Sequence, residues 1–364
     1  MTQKFSIGTW LCRILLACNV LAVLVYLTAA YAGYVHPSKS GLIAMIGLGY
    51  WIALIPVLLF IPVWLIFRVR YSLVSVAALL LTIPQLLTLS PLHFGGGDHN
   101  FRLMTYNALG LIFTQEGSPT TTVDEILNYD PDFVCLQESF PENRVKEKYG
   151  DQWKEVAEKY PYRNLWAGEY LGFLSKTPTE VVEVGKDEHL TYYALYRTEI
   201  GDRKAYFFNV HLQSIGLNDG DKQLYRNITD IEDNRLSKLR GVRSRLMSKL
   251  RTAFVRRTAQ AETIKAKIDS IRTAVPDATV FVCGDFNDTP YSYSYRTIRG
   301  NLRDAYADGA FGPTITYNAD RFYFHIDQVF NTPDLKAVNT EVGDSKASDH
   351  YPVIVDYYLP NLNK

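Results

Sequence analysis

The chain of 364 residues carries 38 basic and 38 acidic side chains, but residues 1–94 hold five basic residues and no acid, while the remaining 270 hold 33 basic and 38 acidic. Length leaves room for two domains, and the split excludes one uniformly water-soluble body. Cys12, Cys18, Cys135 and Cys283 lie in or at apolar runs; their spacing does not suggest a zinc site, no disulfide framework is required, and they read as small buried hydrophobes.

From the N-terminus, three runs without a charged side chain come first, at 14–35, 41–67 and 71–92. About 20 apolar residues cross a bilayer core, so residues 1–94 are expected to form a membrane domain with three transmembrane helices. Pro56, Pro62 and Pro84 fall inside these runs, where membrane helices tolerate proline. Basic residues near the span ends set orientation. Lys4 and Arg13 precede the first run, and Arg68 and Arg70 separate the second from the third, which places both points in the cytoplasm. The rest of the chain then emerges on the extracytoplasmic side. The stretch Ala30-Tyr31-Ala32 also resembles a signal-peptide cleavage site. Cleavage there would leave two spans and the same exported side.

Residues 95–100, rich in glycine, read as a linker, and residues 101–364 as a second domain in which strands and helices alternate. "FRLMTYNALG" (101–110) is expected to be a strand ending at Asn107, followed by a short capped helix over 118–132. "FVCLQES" (133–139) is a strand ending at Glu138, and 143–161 is mostly helical. Strands follow at 170–176, 179–185, 189–201 and 204–214, the last carrying His211. A long helical region is expected over 221–273, broken near Gly241 and again near Thr252. "FVCGDFNDTP" (281–290) starts as an apolar strand and ends in Asp285, Asn287 and Asp288, with a helix after Pro290. Strands at 322–330 and 351–359 close the chain around the loop "SKASDH" (345–350). About nine strands with helices between and after them suggest two packed sheets with flanking helices.

Apolar strands that end in polar residues put those residues on loops held by a rigid scaffold. Here the ends carry Asn107, Glu138, His211, Asp285 with Asn287, and Asp349 with His350, while Asp327 interrupts a further apolar run. Taken singly, Asn107, Asn287 and Asp288 also suit turns, and Asp285 and Glu138 also suit helix caps. Taken together they suit phosphate-ester cleavage. Glu138 and Asn107 offer oxygen ligands without thiolate or imidazole, a set favouring Mg²⁺ or Mn²⁺ over zinc. Asp285 is placed to orient or deprotonate water, and His211 and His350 to donate to a phosphoryl group. Asp327 would hold His350 in one tautomer and favour its protonated form. No glycine-rich phosphate loop or serine nucleophile elbow occurs, which favours water over a covalent intermediate.

The blocks "TYNALG", "DPDFVCLQES", "YLGFLSK", "FNVHLQS", "VCGDFNDTP", "HIDQVF" and "SDHYPV" resemble, in order, those of the endonuclease/exonuclease/phosphatase superfamily. That superfamily includes secreted deoxyribonucleases, abasic-site endonucleases, inositol polyphosphate phosphatases and neutral sphingomyelinases. The resemblance covers about residues 101–358 and implies a deoxyribonuclease-like four-layer α/β/β/α sandwich. It further implies that Asn107 and Glu138 hold the metal, that Asp285 and Asn287 position water and phosphate, and that His211 contacts the scissile phosphate. Asp327 would pair with His350, and Asp349 would be a second metal-side or proton-relay carboxylate. Together with N-terminal spans, the pattern resembles membrane-anchored bacterial members, which implies the inner membrane as location. Two departures stand out. His325 and Gln328 occupy places where the family usually has Arg and Tyr around the Asp, and Leu109 stands where some members carry an acid.

The run 235–257 carries nine basic residues and no acid, with Leu236, Leu239, Val242, Leu246, Leu250 and Phe254 at helical spacing. It reads as an amphipathic helix with a solvated outer face, or as a contact to an anionic surface, lipid head groups before nucleic acid. The net acidity beyond residue 94 disfavours nucleic acid as partner. The reading as a whole is a divalent-metal-dependent phosphohydrolase, a phosphodiesterase held to the bilayer. The alternatives are a membrane-anchored nuclease and an inactive membrane-bound binding or scaffold protein.

Overall fold

Runs of β-branched and aromatic residues cut short by turn residues form the strands. The computed structural model of the chain describes residues 7–216, 236–319, 322–360 and 362. Its strands are β1 (Phe101–Asn107), β2 (Phe133–Gln137), β3 (Tyr162–Ala167), β4 (Leu171–Ser175), β5 (Thr179–Lys186), β6 (Thr191–Ile200) and β7 (Arg203–His211). Then come β8 (Thr279–Asp285), β9 (Arg303–Asp304), β10 (Tyr317–Ala319), β11 (Phe322–Phe324), β12 (Asp327–Asn331), β13 (Ala337–Val342) and β14 (Val353–Tyr357). One six-stranded sheet has the order β13-β14-β1-β2-β4-β3, the other β5-β6-β7-β8-β12-β9, and β10 and β11 form a separate hairpin.

The sheets pack face to face. Phe101, Leu103, Phe133 and Cys135 of the first meet Tyr196, Phe207, Phe281, Cys283 and Val329 of the second. The Phe207 ring stacks at 4.7 Å on both Phe133 and Phe281. Helices cover the outer faces. On the first sheet, α6 (Thr122–Tyr129), α7 (Glu142–Tyr149) and α8 (Asp151–Lys159) set Val123, Ile126, Trp153 and Val156 against Met104, Tyr106, Val134 and Leu136. On the second, α9 (Leu236–Ala274) and α10 (Tyr293–Arg299) set Ala261, Ile264, Ile268 and Ile298 against Leu195, Phe208, Val280 and Val282. The result is an α/β sandwich in the layer order helix, sheet, sheet, helix. Central strands β2 and β8 are buried along their whole length, which is why both read as continuous apolar runs.

Three expectations are corrected. Residues 236–274 form one unbroken helix through Gly241 and Thr252; the expected part 221–235 lies outside the described residues. A helical glycine costs only about 1 kcal/mol, less than the packing of the 253–271 face recovers. The single helical region expected at 143–161 is two helices parted by Gly150, whose φ of +53° ends the first. The single strand expected at 322–330 is two strands, β11 in the hairpin and β12 in the second sheet.

The N-terminal residues form α1 (Ile7–Ala30), α2 (Gly41–Leu48), α3 (Tyr50–Phe67), α4 (Ser72–Leu81) and α5 (Ile83–Leu89). Trp10–Ala30 and Tyr50–Phe67 are long and apolar enough to cross a membrane; 69–81 and 83–89 qualify only as a pair bent by 68°. The third expected straight span is therefore broken beside Pro84, which cannot donate a backbone hydrogen bond. These helices also touch the sandwich. Tyr50 stacks on Tyr291 at 3.8 Å, and Tyr291 is buried in the cluster of Tyr26, Ala29 and Leu54.

Candidate active site

Strand direction alone brings the expected residues to one end of the sandwich. β1 runs parallel to β2, and β7 parallel to β8, so Asn107, Glu138, His211 and Asp285 all leave from carboxyl ends on one side. β12 runs antiparallel to β8 with Asp327 directly opposite Asp285, and β14 antiparallel to β1 with Val353 opposite Thr105. The starts of β12 and β14 therefore lie at that same end and bring in Asp327 and, just before β14, Asp349 and His350.

The side chains meet across the two sheets. Asn107 Nδ2 donates to Glu138 Oε1 at 3.1 Å and to Asp285 Oδ2 at 3.2 Å. His211 Nε2 lies 3.9 Å from Glu138 Oε1 and 3.7 Å from Asp285 Oδ2. His350 sits between two acids, its Nδ1 2.8 Å from Asp327 Oδ2 and its Nε2 3.7 Å from Asp285 Oδ2. Asn287 donates its backbone N–H to Asp285 Oδ1 at 2.7 Å and its side-chain amide to Leu212 O at 3.0 Å. Asp349 accepts from the Ser348 hydroxyl at 3.3 Å, and Ser348 also donates to the Asn107 carbonyl at 2.8 Å. All eight expected residues thus belong to one constellation.

Backbone strain marks two of them. Glu138 has φ +54° and Asn287 φ +51°, the left-handed region that non-glycine residues seldom occupy. Such strain concentrates where side chains must be aimed. Gly284 has φ +143°, and a Cβ there would meet the Val210 carbonyl oxygen at 1.9 Å. Only glycine lets β7 and β8 approach closely enough to set His211 beside Asp285.

Electrostatics divides the labour. Burial pushes the Asp285 carboxyl up to about 6, with Asp327 adding to the shift and His350 and His211 opposing it. Burial alone would lower the His350 pKa, but the carboxylates of Asp327 and Asp285 outweigh it and raise it to about 10. His350 is therefore an imidazolium at neutral pH. Asp349 is pushed up by burial, with Glu138 adding to the shift against His350. Carboxylates crowded this way create a site where a cation relieves repulsion. Asp285, Asp327 and His350 bring one ligand atom each within 4.8 Å of one another, a cluster able to hold a metal ion.

Four contributors were not read from the sequence. Arg257, fully buried on α9, donates to the Asn287 carbonyl and lies 3.2 Å from Asp288 Oδ2. Asp288 is thus the buried partner of an arginine and more than a turn residue, and the basic run is not wholly solvated. Its only sequence signal was adjacency to the Asp285 block. Thr316 Oγ1 accepts from the backbone of Ile326 and Asp327, fixing the start of β12, and the Tyr317 ring lies 4.9 Å from that of His350.

The family described as Endonuclease/Exonuclease/phosphatase matches residues 104–350, and a domain of unknown function, DUF8431, matches residues 12–89. None of the curated proteins matches the chain. Among solved structures, truncated Caenorhabditis elegans TDP2 is 17% identical with a TM-score of 0.48, covering 71% of this chain and 98% of that one. A mannosyl-6-phosphatase of Bacteroides thetaiotaomicron is 16% identical at 0.43, covering 71% and 100%. Staphylococcus aureus beta toxin is 16% identical at 0.44, covering 70% and 99%.

Proposed function

We propose that this chain, which belongs to the endonuclease/exonuclease/phosphatase family, is a membrane-attached, divalent-metal-dependent phosphodiesterase that cleaves its ester by direct attack of water. The observation that carries this reading is the Asn107 amide joining Glu138 of one sheet to Asp285 of the other. It sets an oxygen-donor site and an acid–base site side by side. Glu138 and Asn107, with Asp349 close by, fit Mg²⁺ or Mn²⁺, because the donors are hard oxygens without thiolate and their mutual repulsion favours a cation. A cation bound there would neutralise charge on the phosphoryl oxygens and the leaving oxygen.

The chain's own groups supply the rest. Asp285, whose pKa lies near 6, is ionised at neutral pH and basic enough to accept a proton from the attacking water. Asn287, braced by Leu212 O and by Asp285, aims its neighbour's carboxylate. His211 and the His350 imidazolium donate to the phosphoryl oxygens as charge grows there. Asp327 fixes the His350 ring through Nδ1 and leaves Nε2–H facing the site. The Asp285–Asp327–His350 cluster is read as this proton-handling group because the 2.8 Å bond already commits the histidine.

Residues 1–94 are proposed as the membrane domain, 95–100 as the linker and 101–364 as the catalytic domain, held on the extracytoplasmic face of the bacterial inner membrane. The apolar helices and the placing of Lys4, Arg13, Arg68 and Arg70 support this. The test is a panel of phosphodiesters and phosphomonoesters offered to the purified full-length protein with Mg²⁺, with Mn²⁺ and with EDTA. Diester hydrolysis that EDTA abolishes is expected; hydrolysis indifferent to EDTA, or confined to monoesters, would reject this reading.

A further inference from the structure

Where the N-terminal helices meet the sandwich, a cavity of about 360 Å³ opens that the proposed chemistry does not use. Arg296 and Arg299 of α10 line one side, and Tyr34, Pro84, Gln85 and Thr88 the other. The Arg296 guanidinium lies 3.7 Å over the Tyr34 ring, which holds it in place without neutralising it. Among the described residues, neither arginine has a carboxylate within ion-pair distance.

The surroundings define the occupant. Tyr31 and Tyr34, both exposed, follow the end of α1, as aromatic residues do where a helix leaves a bilayer. Next to the cavity, α5 exposes Ile83 and Leu87, an apolar surface continuous with the polar opening. Two unneutralised guanidinia and an adjoining apolar face at the membrane boundary match a molecule with an anionic head and hydrocarbon tails.

We propose that this cavity binds a phospholipid head group. The phosphate lies between Arg296 and Arg299, and the acyl chains run along α5. The inference rests on the membrane attachment proposed above and adds a specific lipid contact to it. Pro290, Tyr291 and Ser292, which also line the cavity, follow shortly after Asn287 in the chain. The lipid therefore braces the segment that leads out of the catalytic constellation.

The test uses full-length protein in a neutral detergent. Thermal melting is followed with added phosphatidylglycerol, with phosphatidylcholine and with inorganic phosphate, and retained lipid is counted by native mass spectrometry. The wild type is compared with Arg296→Gln/Arg299→Gln and with Arg144→Gln on an exposed surface elsewhere. Expected are one retained phospholipid and a raised melting temperature with lipid in the wild type and in Arg144→Gln, and about tenfold weaker lipid binding in the double variant. Equal lipid retention by the double variant, or an equal shift from inorganic phosphate, would overturn the proposal. Fractionation separates this from failure of attachment itself: a chain that alkaline washing releases from membranes contradicts the anchor, whereas an anchored chain with no arginine-dependent lipid contradicts only the site.

Discussion

At the level of single residues, the sharpest claim concerns the paired roles of Asp285 and His350. Asp285→Asn keeps the shape of the side chain but cannot take a proton, and His350→Gln removes the imidazolium. Each is expected to lower kcat by about 10²–10⁴-fold with the fold retained; steady-state kinetics beside a melting curve checks this. Asp327→Asn should fall between these and the wild type, because it frees the ring at Nδ1 without removing it. A second residue-level prediction concerns Asp356. Burial alone would raise its carboxyl pKa, but hydrogen bonds from Arg102 and Asn339 outweigh this and hold it below the usual range. A carboxyl depressed in the folded state adds stability above its unfolded pKa and loses it as pH falls through the folded value. Melting temperatures of the wild type should thus drop steeply below about pH 4, whereas Asp356→Asn should start lower and show a shallower drop. Equal slopes would contradict the assignment. The positions of Asn107, Glu138, His211 and Asp285 are legible because each stands at the end of an apolar strand, and His350 because it stands just before one; the Arg257–Asp288 pair is not, because its partners lie on elements distant in sequence and one sits in a stretch that reads as surface charge.

Among elements, β8 ends in Asp285, and α9 reaches the site through Arg257. Gly284 is the point where β8 touches β7, and Gly284→Ala forces a Cβ onto the Val210 carbonyl while keeping a φ that alanine resists. A loss of at least about 3 kcal/mol is expected from strain and clash together, read by denaturant unfolding. α9 contributes through Arg257. Burial lowers the pKa of its guanidinium and raises that of the Asp288 carboxyl, so both charges bear a desolvation cost that their pairing helps to offset. Arg257→Met leaves Asp288 buried alone and should destabilise by about 3–5 kcal/mol, while Arg257→Met/Asp288→Leu should recover much of that. A single variant as stable as the wild type would show that the pair is dispensable. The unbroken course of α9 shows why local reading failed there: Gly241 is a weak breaker once a long face is buried. The bend between α4 and α5 shows the reverse, since Pro84 breaks a run whose composition alone reads as continuous.

For the whole molecule, two unlike parts are joined by a packed contact as well as a linker. Tyr291 stacks on Tyr50 and closes the core of the N-terminal helices, so the sandwich is held at a set position relative to them. Tyr291→Ala should leave the chain in the membrane fraction but lower its melting temperature, since an aromatic stack adds about 0.5–1.5 kcal/mol beyond the area it buries. The layered sandwich was legible from the alternation of strands and helices and from the ordered family blocks. Its shortest strands and the hairpin beside His350 were not, because three residues show no period. Central to the whole is the proposal that strand ends from both sheets make one phosphodiesterase site. The most direct measurement is the rate at which detergent-solubilised full-length protein hydrolyses bis(p-nitrophenyl) phosphate with Mg²⁺, for the wild type and for Glu138→Gln and Asp285→Asn variants matched in melting temperature. Hydrolysis by the wild type and its loss in both variants, one from each sheet, is the expected result; undiminished hydrolysis in either variant would contradict it.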